Sequence, residues 1–271
     1  MNFDSYIVSD TKTSLSMPLA CPPKKLKHSK GFKRFAFTLA ETLITLTIIG
    51  VVAALTVPNL LNKYTKHTYV VGLKKAYAQL QHAMKMIPIT EGCSAGDYDC
   101  AYNTTAHSEP NRLTELLSKQ FKTTQICYTT DNSKPECAFL PRSGTAGFKT
   151  NDGMTFTTSS GWGNLSVDVN GEKGPNVYGR DKFFFEVLIS SNHMYLADED
   201  GHVGKIIPAG SMLGNDLFGD SAMMFGYWKY NLSSNNPLVG DRYACITKNI
   251  GNTSGGENCA GRVLEEDAMN Y

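Results

Sequence analysis

The sequence lacks the short motifs through which many enzymes hold a nucleophile, a metal ion or a phosphate. It contains no H-E-x-x-H, no G-x-S-x-G, no G-x-x-x-x-G-K-[ST] and no G-x-G-x-x-G. The nearest fragment is Gly219-Asp220-Ser221, for which no partner base can be assigned. We therefore expect a protein that is not an enzyme and that has no catalytic residues.

The chain of 271 residues also lacks an excess of charge of either sign, with 26 Lys+Arg against 25 Asp+Glu. The distribution is uneven, because residues 1–36 contain seven basic and two acidic residues and the rest contains 19 and 23. A nucleic-acid-binding body needs basic side chains to neutralise phosphates, so no nucleic-acid partner is predicted. The basic segment 1–36 is expected to be a leader.

Charge is absent altogether from residues 42–62, which read TLITLTIIGVVAALTVPNLLN. A helix of this length rises about 30 Å, which matches the hydrocarbon core of a bilayer. The basic leader before it and the acidic body after it predict an N-in, C-out orientation. The alternatives are a buried core helix and a cleaved secretory segment, but Ala53-Ala54 lies too deep in the run for the usual cleavage site.

Glu41 stands directly before this run, where a carboxylate is costly in lipid unless it is paired. The residues that lead to it are Lys33-Arg34-Phe35-Ala36-Phe37-Thr38-Leu39-Ala40-Glu41. A basic leader, a small residue, Phe-Thr-Leu-x-Glu and an apolar helix follow one another. Over residues 33–61 this pattern resembles the N-terminal signal of type IV pilins and type II secretion pseudopilins.

The resemblance implies that a prepilin peptidase cuts between Ala36 and Phe37 and methylates the amine of Phe37. Glu41 would then be the fifth residue of the mature chain, Gly50 the fourteenth and Pro58 the twenty-second, where many pilins carry the same residues. In a filament the Glu41 carboxylate would pair with the N-terminal amine of a neighbouring subunit. The alternative role for Glu41 is a favourable interaction with the dipole of its own helix.

Two positions depart from the family pattern. Ala36 stands where the family usually has glycine, and Ala40 stands where a bulkier aliphatic residue is common. Met17 would serve as a second start and leave a leader of 20 residues. The expected partners are the prepilin peptidase, other pilin or pseudopilin subunits, and the inner membrane with its assembly platform.

The pattern after residue 62 predicts that the helix continues to Pro88 as an amphipathic segment over residues 63–87. Its apolar residues are spaced three and four apart, as on one face of a helix, and are Val70, Leu73, Ala76, Tyr77, Leu80, Ala83, Met84 and Ile87. Lys74, Lys75, Gln81, His82 and Lys85 lie on the other side. We expect this half to dock against a sheet, with a coiled coil as the alternative.

Residues 88–271 are predicted to form a disulfide-containing α+β globular head with an antiparallel sheet. A short helix is predicted at residues 113–121, and a hairpin turn at 161–163. The predicted strands are residues 125–129, 137–140, 154–158, 164–169, 183–190, 194–197 and 202–207. The fold class is therefore α+β, with a long N-terminal membrane-spanning and amphipathic helix packed on the sheet, as in pilins.

Six cysteines follow the predicted span: Cys93, Cys100, Cys127, Cys137, Cys245 and Cys259. An even number outside the cytoplasm predicts disulfides, and six cysteines allow 15 connectivities. The sequence separations of 7, 10 and 14 residues favour sequential pairing. A zinc site is the alternative, although no C-x-x-C pair is present.

The segment Asp168-Val169-Asn170-Gly171-Glu172-Lys173-Gly174-Pro175-Asn176 combines oxygen ligands with turn residues. Asp168, Asn170, Glu172 and Asp181 could supply oxygen atoms to Ca²⁺, although their spacing does not match an EF-hand. The alternative is a turn built on Asx and glycine chemistry, and similar segments occur in pilin-like heads. Residues 198–201 are predicted to form a second acidic turn. No other cofactor is expected.

The sequence thus predicts a pilin-like structural subunit, a minor pilin or a pseudopilin. It would reside in the bacterial inner membrane with its head outside the cytoplasm, and then in a surface pilus or a periplasmic pseudopilus. The alternative is a single-pass, membrane-anchored binding protein that does not polymerise.

Overall fold

The computed structural model describes residues 38–102, 110–141, 144–159, 163–188, 204–211, 245, 247, 249–251 and 255–271. The chain divides into two units, Met1–Val52 and Ala53–Tyr271. The described part of the first unit is helical. The second unit contains a six-stranded sheet and the helices that pack on it.

Helix α1 extends over Leu39–Thr90 and continues through Pro58 and Pro88. The prediction that Pro88 closes the helix is therefore wrong by two residues. Proline has no N–H and crowds the carbonyl four residues before it, but its fixed φ is compatible with a helix. The helix ends in a Schellman motif at Gly92, whose φ is +78°, and the Cys93 N–H donates to the Pro88 carbonyl oxygen at 2.8 Å.

The predicted apolar face of the second half of α1 is confirmed. Seven of its eight side chains are buried: Val70, Leu73, Ala76, Leu80, Ala83, Met84 and Ile87. Tyr77, the eighth, is partly buried and stacks on Phe185 with ring centroids 6.0 Å apart. The helix therefore docks against the sheet, and Gly72 allows close approach because a Cβ there would lie 3.0 Å from Val169.

The other helices in the described part of the chain are short. α2 extends over Tyr98–Tyr102, α3 over Pro110–Ser118 and α4 over Cys259–Glu266. The helix predicted at residues 113–121 is thus present but begins at Pro110 and ends earlier. Proline is favoured in the first turn of a helix, where its missing N–H has no intrahelical partner.

The sheet is an antiparallel meander in which each strand pairs with the next along the chain. The strands are β1 (Thr123–Cys127), β2 (Thr145–Thr150), β3 (Thr155–Ser159), β4 (Asn164–Asp168), β5 (Lys182–Val187) and β6 (Ile206–Pro208). Five of them overlap predicted strands. β3 and β4 pair as a hairpin, as expected around residues 161–163, of which the structure describes Gly163 with a φ of +94°.

One predicted strand is absent from the structure, and one observed strand was not predicted. Residues 137–140 form no strand; a 3-10 turn over Pro135–Cys137 is followed by further turns, because the disulfide to Cys127 closes a tight loop there. β2 is missing from the prediction because Ala146 and Gly147 have low strand propensity. The predicted strand at residues 194–197 and the acidic turn at 198–201 lie outside the described residues.

The core lies between the sheet and the helices. The sheet presents one face of large apolar side chains to α1 and α3: Phe148, Phe156, Leu165, Val167, Phe183 and Phe185. Phe148 and Phe156 stack at 4.9 Å, and Phe121 packs against both. Each fully buried side chain of this size contributes about 1.5–3 kcal/mol.

The C-terminal segment contacts helix α1 near the start of the second unit. The Lys66 Nζ donates to the carbonyl oxygens of Met269 and Tyr271 at 3.1 Å each. The Tyr271 hydroxyl donates to the Gly179 carbonyl oxygen at 2.6 Å, and burial raises the pKa of this phenol. The segment therefore joins the helix to the loop between β4 and β5.

Candidate assembly site and head loops

Helix α1 begins with a capping box. The backbone N–H of Thr38 donates to Glu41 Oε2 at 2.8 Å, and the Thr38 hydroxyl donates to the same oxygen at 2.9 Å. In return, the Glu41 N–H donates to the Thr38 hydroxyl oxygen at 3.2 Å. The signal for this arrangement, T-x-x-E, is present in the sequence but was not part of the prediction.

The first half of α1 is apolar on all sides. Every residue from 38 to 64 is exposed except Ala53, and Leu39 and Leu55 are 79% and 70% exposed. The most apolar 18-residue window of α1 has a mean hydropathy of 2.1, and none of it is buried. Among the described residues this is the one helix long and apolar enough to cross a membrane.

Hydroxyl groups within this apolar half are bonded to the helix itself. Thr42 donates to the Leu39 carbonyl oxygen at 2.8 Å, Thr45 donates to the Thr42 carbonyl oxygen at 3.0 Å, and Thr47 donates to the Leu43 carbonyl oxygen at 2.7 Å. Hydroxyls satisfied in this way can enter an apolar environment at little cost.

The structure brings Glu41, Gly50 and Pro58 onto one continuous helix but does not place them in contact with one another. A Cβ at Gly50 would meet open space, so nothing in the described chain requires glycine there. Ala36 and Phe37, the predicted cleavage and methylation site, lie outside the described residues, as do residues 219–221.

The cysteines pair sequentially, as their separations predict. The bonds are Cys93–Cys100, Cys127–Cys137 and Cys245–Cys259. The first closes the loop after α1, the second closes the loop between β1 and β2, and the third ties residue 245 to the start of α4. All three bonds lie in the second unit.

The predicted calcium segment forms a hydrogen-bonded loop. The buried Asp181 carboxylate accepts from the N–H groups of Asn176 and Val177, at 2.8 and 2.7 Å. Asp168 Oδ1 accepts from the Asn170 N–H at 3.2 Å. These carboxylates satisfy backbone donors of the loop itself, which is the turn chemistry held as the alternative to a metal site.

The other two predicted ligands also have protein partners. Asn170 donates to the Tyr69 hydroxyl and to the Gly174 carbonyl oxygen, both at 3.3 Å. Glu172 is 60% exposed and forms an ion pair with Lys149 at 2.8 Å. Within the described ranges, no group of three or more His, Cys, Asp or Glu side chains is placed to hold a metal ion. The calcium site therefore stays a prediction from sequence.

Asp168 has the most altered acidity in this loop. Its side chain is 4% exposed, and burial together with the nearby Asp181 raises its pKa to about 7. Both effects disfavour the charged form of the carboxyl group. The sequence indicates an acidic turn here but not the depth at which the turn is buried.

Comparison with protein-family models, with curated proteins and with solved structures returns no match for this chain.

Proposed function

We propose that this chain is a pilin-like structural subunit, processed by prepilin peptidase between Ala36 and Phe37, with Phe37 N-methylated. It assembles through its N-terminal helix into a type IV pilus or a type II secretion pseudopilus, as a minor pilin or a pseudopilin. The observation that carries the proposal is the exposed, apolar first half of α1, in which residues 42–62 contain no charged side chain. A helix that is apolar on every side is stable in lipid or among like helices.

The second half of α1 supports the same proposal. It buries one face on the sheet and keeps lysines on the other, so the head is attached directly to the helix that would enter the membrane or the filament core. Three disulfides within the head suit a location outside the cytoplasm. Before assembly the chain would be a single-pass protein of the inner membrane, and afterwards part of a surface pilus or a periplasmic pseudopilus.

Glu41 would have two separable tasks. Within its own chain it caps helix α1 through Thr38. In a filament its carboxylate would pair with the N-terminal amine of Phe37 in a neighbouring subunit, which offsets the cost of burying both charges. Glutamine can also serve in a capping box, so a Glu41→Gln variant separates the cap from the charge.

We expect Glu41→Gln to fold normally but to lower filament incorporation at least about tenfold, because the amine would be buried without a counter-charge. Thr38→Ala removes the two hydrogen bonds of the Thr38 hydroxyl from the cap and keeps the charge, and we expect it to incorporate better than Glu41→Gln. Sheared filaments or cross-linked pseudopili are quantified by immunoblot against total subunit. Equal incorporation of Glu41→Gln and the unaltered chain would show that the charge has no role.

Mass spectrometry of the mature chain tests the processing step. The expected N-terminus is N-methylated Phe37. A chain that retains Met1 or Met17 would contradict the pilin assignment and would favour the membrane-anchored binding protein that does not polymerise.

A further inference from the structure

The sheet has a second face, opposite to the one that packs on α1. In the register of β3, β4 and β5, Thr157 lies across from Ser166 and Asp168 lies across from Lys182. These side chains form the floor of a pocket of about 460 Å³. Ligand pockets in proteins have volumes of roughly 300–1,000 Å³, so this pocket is large enough for a small molecule.

One wall of the pocket is an aromatic side chain held by a disulfide. Phe139 follows the Cys127–Cys137 bond and lies over Gly147 of β2, where a Cβ would come within 3.2 Å of its ring and 2.4 Å of the Phe156 carbonyl oxygen. Glycine in β2 thus lets this loop approach the sheet. The wall is fixed by a covalent bond and by packing.

The opposite wall comes from the loop between β4 and β5. The Tyr178 hydroxyl and the Ser166 hydroxyl are hydrogen-bonded at 2.6 Å. Thr155 and Thr157 add two hydroxyls on the floor. A hydroxyl group both donates and accepts hydrogen bonds, so this surface matches ligands whose groups do the same.

Each carboxyl group of the pocket has a lysine near it. Glu172 pairs with Lys149 at 2.8 Å, and Asp168 lies across the β4–β5 register from Lys182. The Lys149 ammonium also lies 4.8 Å from the centre of the Phe139 ring. The pocket therefore offers no surplus of one charge that would select a small anion or cation.

We propose that this pocket between the Cys127–Cys137 loop and the β4–β5 loop binds a neutral pyranose unit of a glycan. A pyranose ring carries hydroxyls that donate and accept, and it has an apolar face of C–H groups that packs against an aromatic ring. Phe139 supplies the ring, and Thr157, Ser166 and Tyr178 supply hydroxyl groups as polar partners. The site is in the head and is independent of whether the chain assembles into a filament.

The test uses the full chain in detergent micelles with its disulfides formed. The methyl glycosides of glucose, galactose, mannose and N-acetylglucosamine are titrated one at a time and followed by saturation-transfer NMR. Inorganic phosphate and tetramethylammonium serve as charged probes of similar or smaller size. We expect at least one glycoside to bind with a Kd on the order of 1 mM, the value typical of a ligand with about 13 heavy atoms.

Two variants assign the binding to the pocket. Thr157→Val and Phe139→Ala are each expected to weaken binding of that glycoside at least about tenfold. Thr124→Val on β1 is the matched control and should leave binding unchanged, and the midpoint of thermal unfolding reports whether each variant folds. If Thr157→Val does not fold, Ser166→Ala replaces it.

Three outcomes would overturn the proposal. The first is that none of the four glycosides binds at about 50 mM, which is roughly 50 times the expected Kd. The second is binding that the pocket variants leave unchanged, and the third is binding of only the charged probes. None of them bears on filament assembly, which the Glu41 variants test.

Discussion

Asp168 is a buried carboxyl group whose charged form is disfavoured in the folded state. Because its folded pKa is raised from 3.8 to about 7, the folded state binds a proton that the unfolded chain releases at lower pH. Stability from this group is therefore fully present below about pH 4 and is lost as the pH rises towards 7. The carboxylate is nevertheless tied to the loop through the Asn170 N–H.

We predict that Asp168→Asn stabilises the protein at pH 8 by roughly 1–3 kcal/mol and changes its stability little at pH 4. Asparagine keeps an oxygen for the Asn170 N–H and carries no charge. Urea unfolding at the two pH values, followed by circular dichroism, measures the difference. Glu172→Gln is the control, because Glu172 is largely exposed, and it should show a change below about 0.5 kcal/mol at either pH.

The contacts of individual residues differ in how well the sequence predicts them. The cysteine pairs and the turn at Asp168 follow from short separations along the chain. The contact of Lys66 with the carbonyl oxygen of Tyr271 does not, because the two residues are 205 positions apart in the sequence and only the folded topology brings them together. The capping box of Thr38 and Glu41 is a local signal and was available to sequence reasoning.

At the scale of elements, α1 was predicted well because its two halves obey simple rules. The apolar half has no charged residue between Glu41 and Lys63, and the docked half repeats apolar residues at helical spacing. β2 was missed because Gly147 is selected by close packing against Phe139 and not by strand propensity. The prediction of a strand at residues 137–140 is wrong because the Cys127–Cys137 bond imposes a turn.

We predict that Leu80→Ala, in the docked half of α1, lowers the free energy of unfolding by about 2–5 kcal/mol. Leu80 is fully buried in the core between α1 and the sheet, so truncation leaves a cavity. Val71→Ala is the control, because Val71 is 52% exposed on the same helix, and it should cost less than about 1 kcal/mol. Urea unfolding gives both values, and equal losses would contradict the docking of this face.

At the scale of the whole molecule, the overall charge balance of the chain conceals two unlike parts. Residues 1–36 contain seven basic and two acidic residues, whereas residues 37–271 contain 19 basic and 23 acidic residues and six of the seven cysteines. The three disulfides all join residues that are near in sequence. They restrict loops of the head and do not link it to the apolar half of α1.

We predict that reduction destabilises the head and leaves the apolar half of α1 helical. Each short loop contributes about 2–3 kcal/mol through the entropy of the unfolded chain. Thermal unfolding with and without a phosphine reductant should show a lower midpoint for the sheet, and helical circular dichroism should persist above that midpoint in micelles. A double Cys93→Ala and Cys100→Ala variant should lose about a third of the full effect. An unchanged midpoint on complete reduction would contradict this prediction.

The meander has a consequence for the order in which the head forms. Because β1 to β6 each pair with the next strand, most of the sheet has low contact order and can form hairpin by hairpin as the chain is synthesised. The contacts of Lys66 with Met269 and Tyr271 cannot form until those two residues, 203 and 205 positions later in the chain, have been made. Met269 and Tyr271 follow every strand of the sheet in the chain, so their contact with helix α1 forms after all six strands have been synthesised.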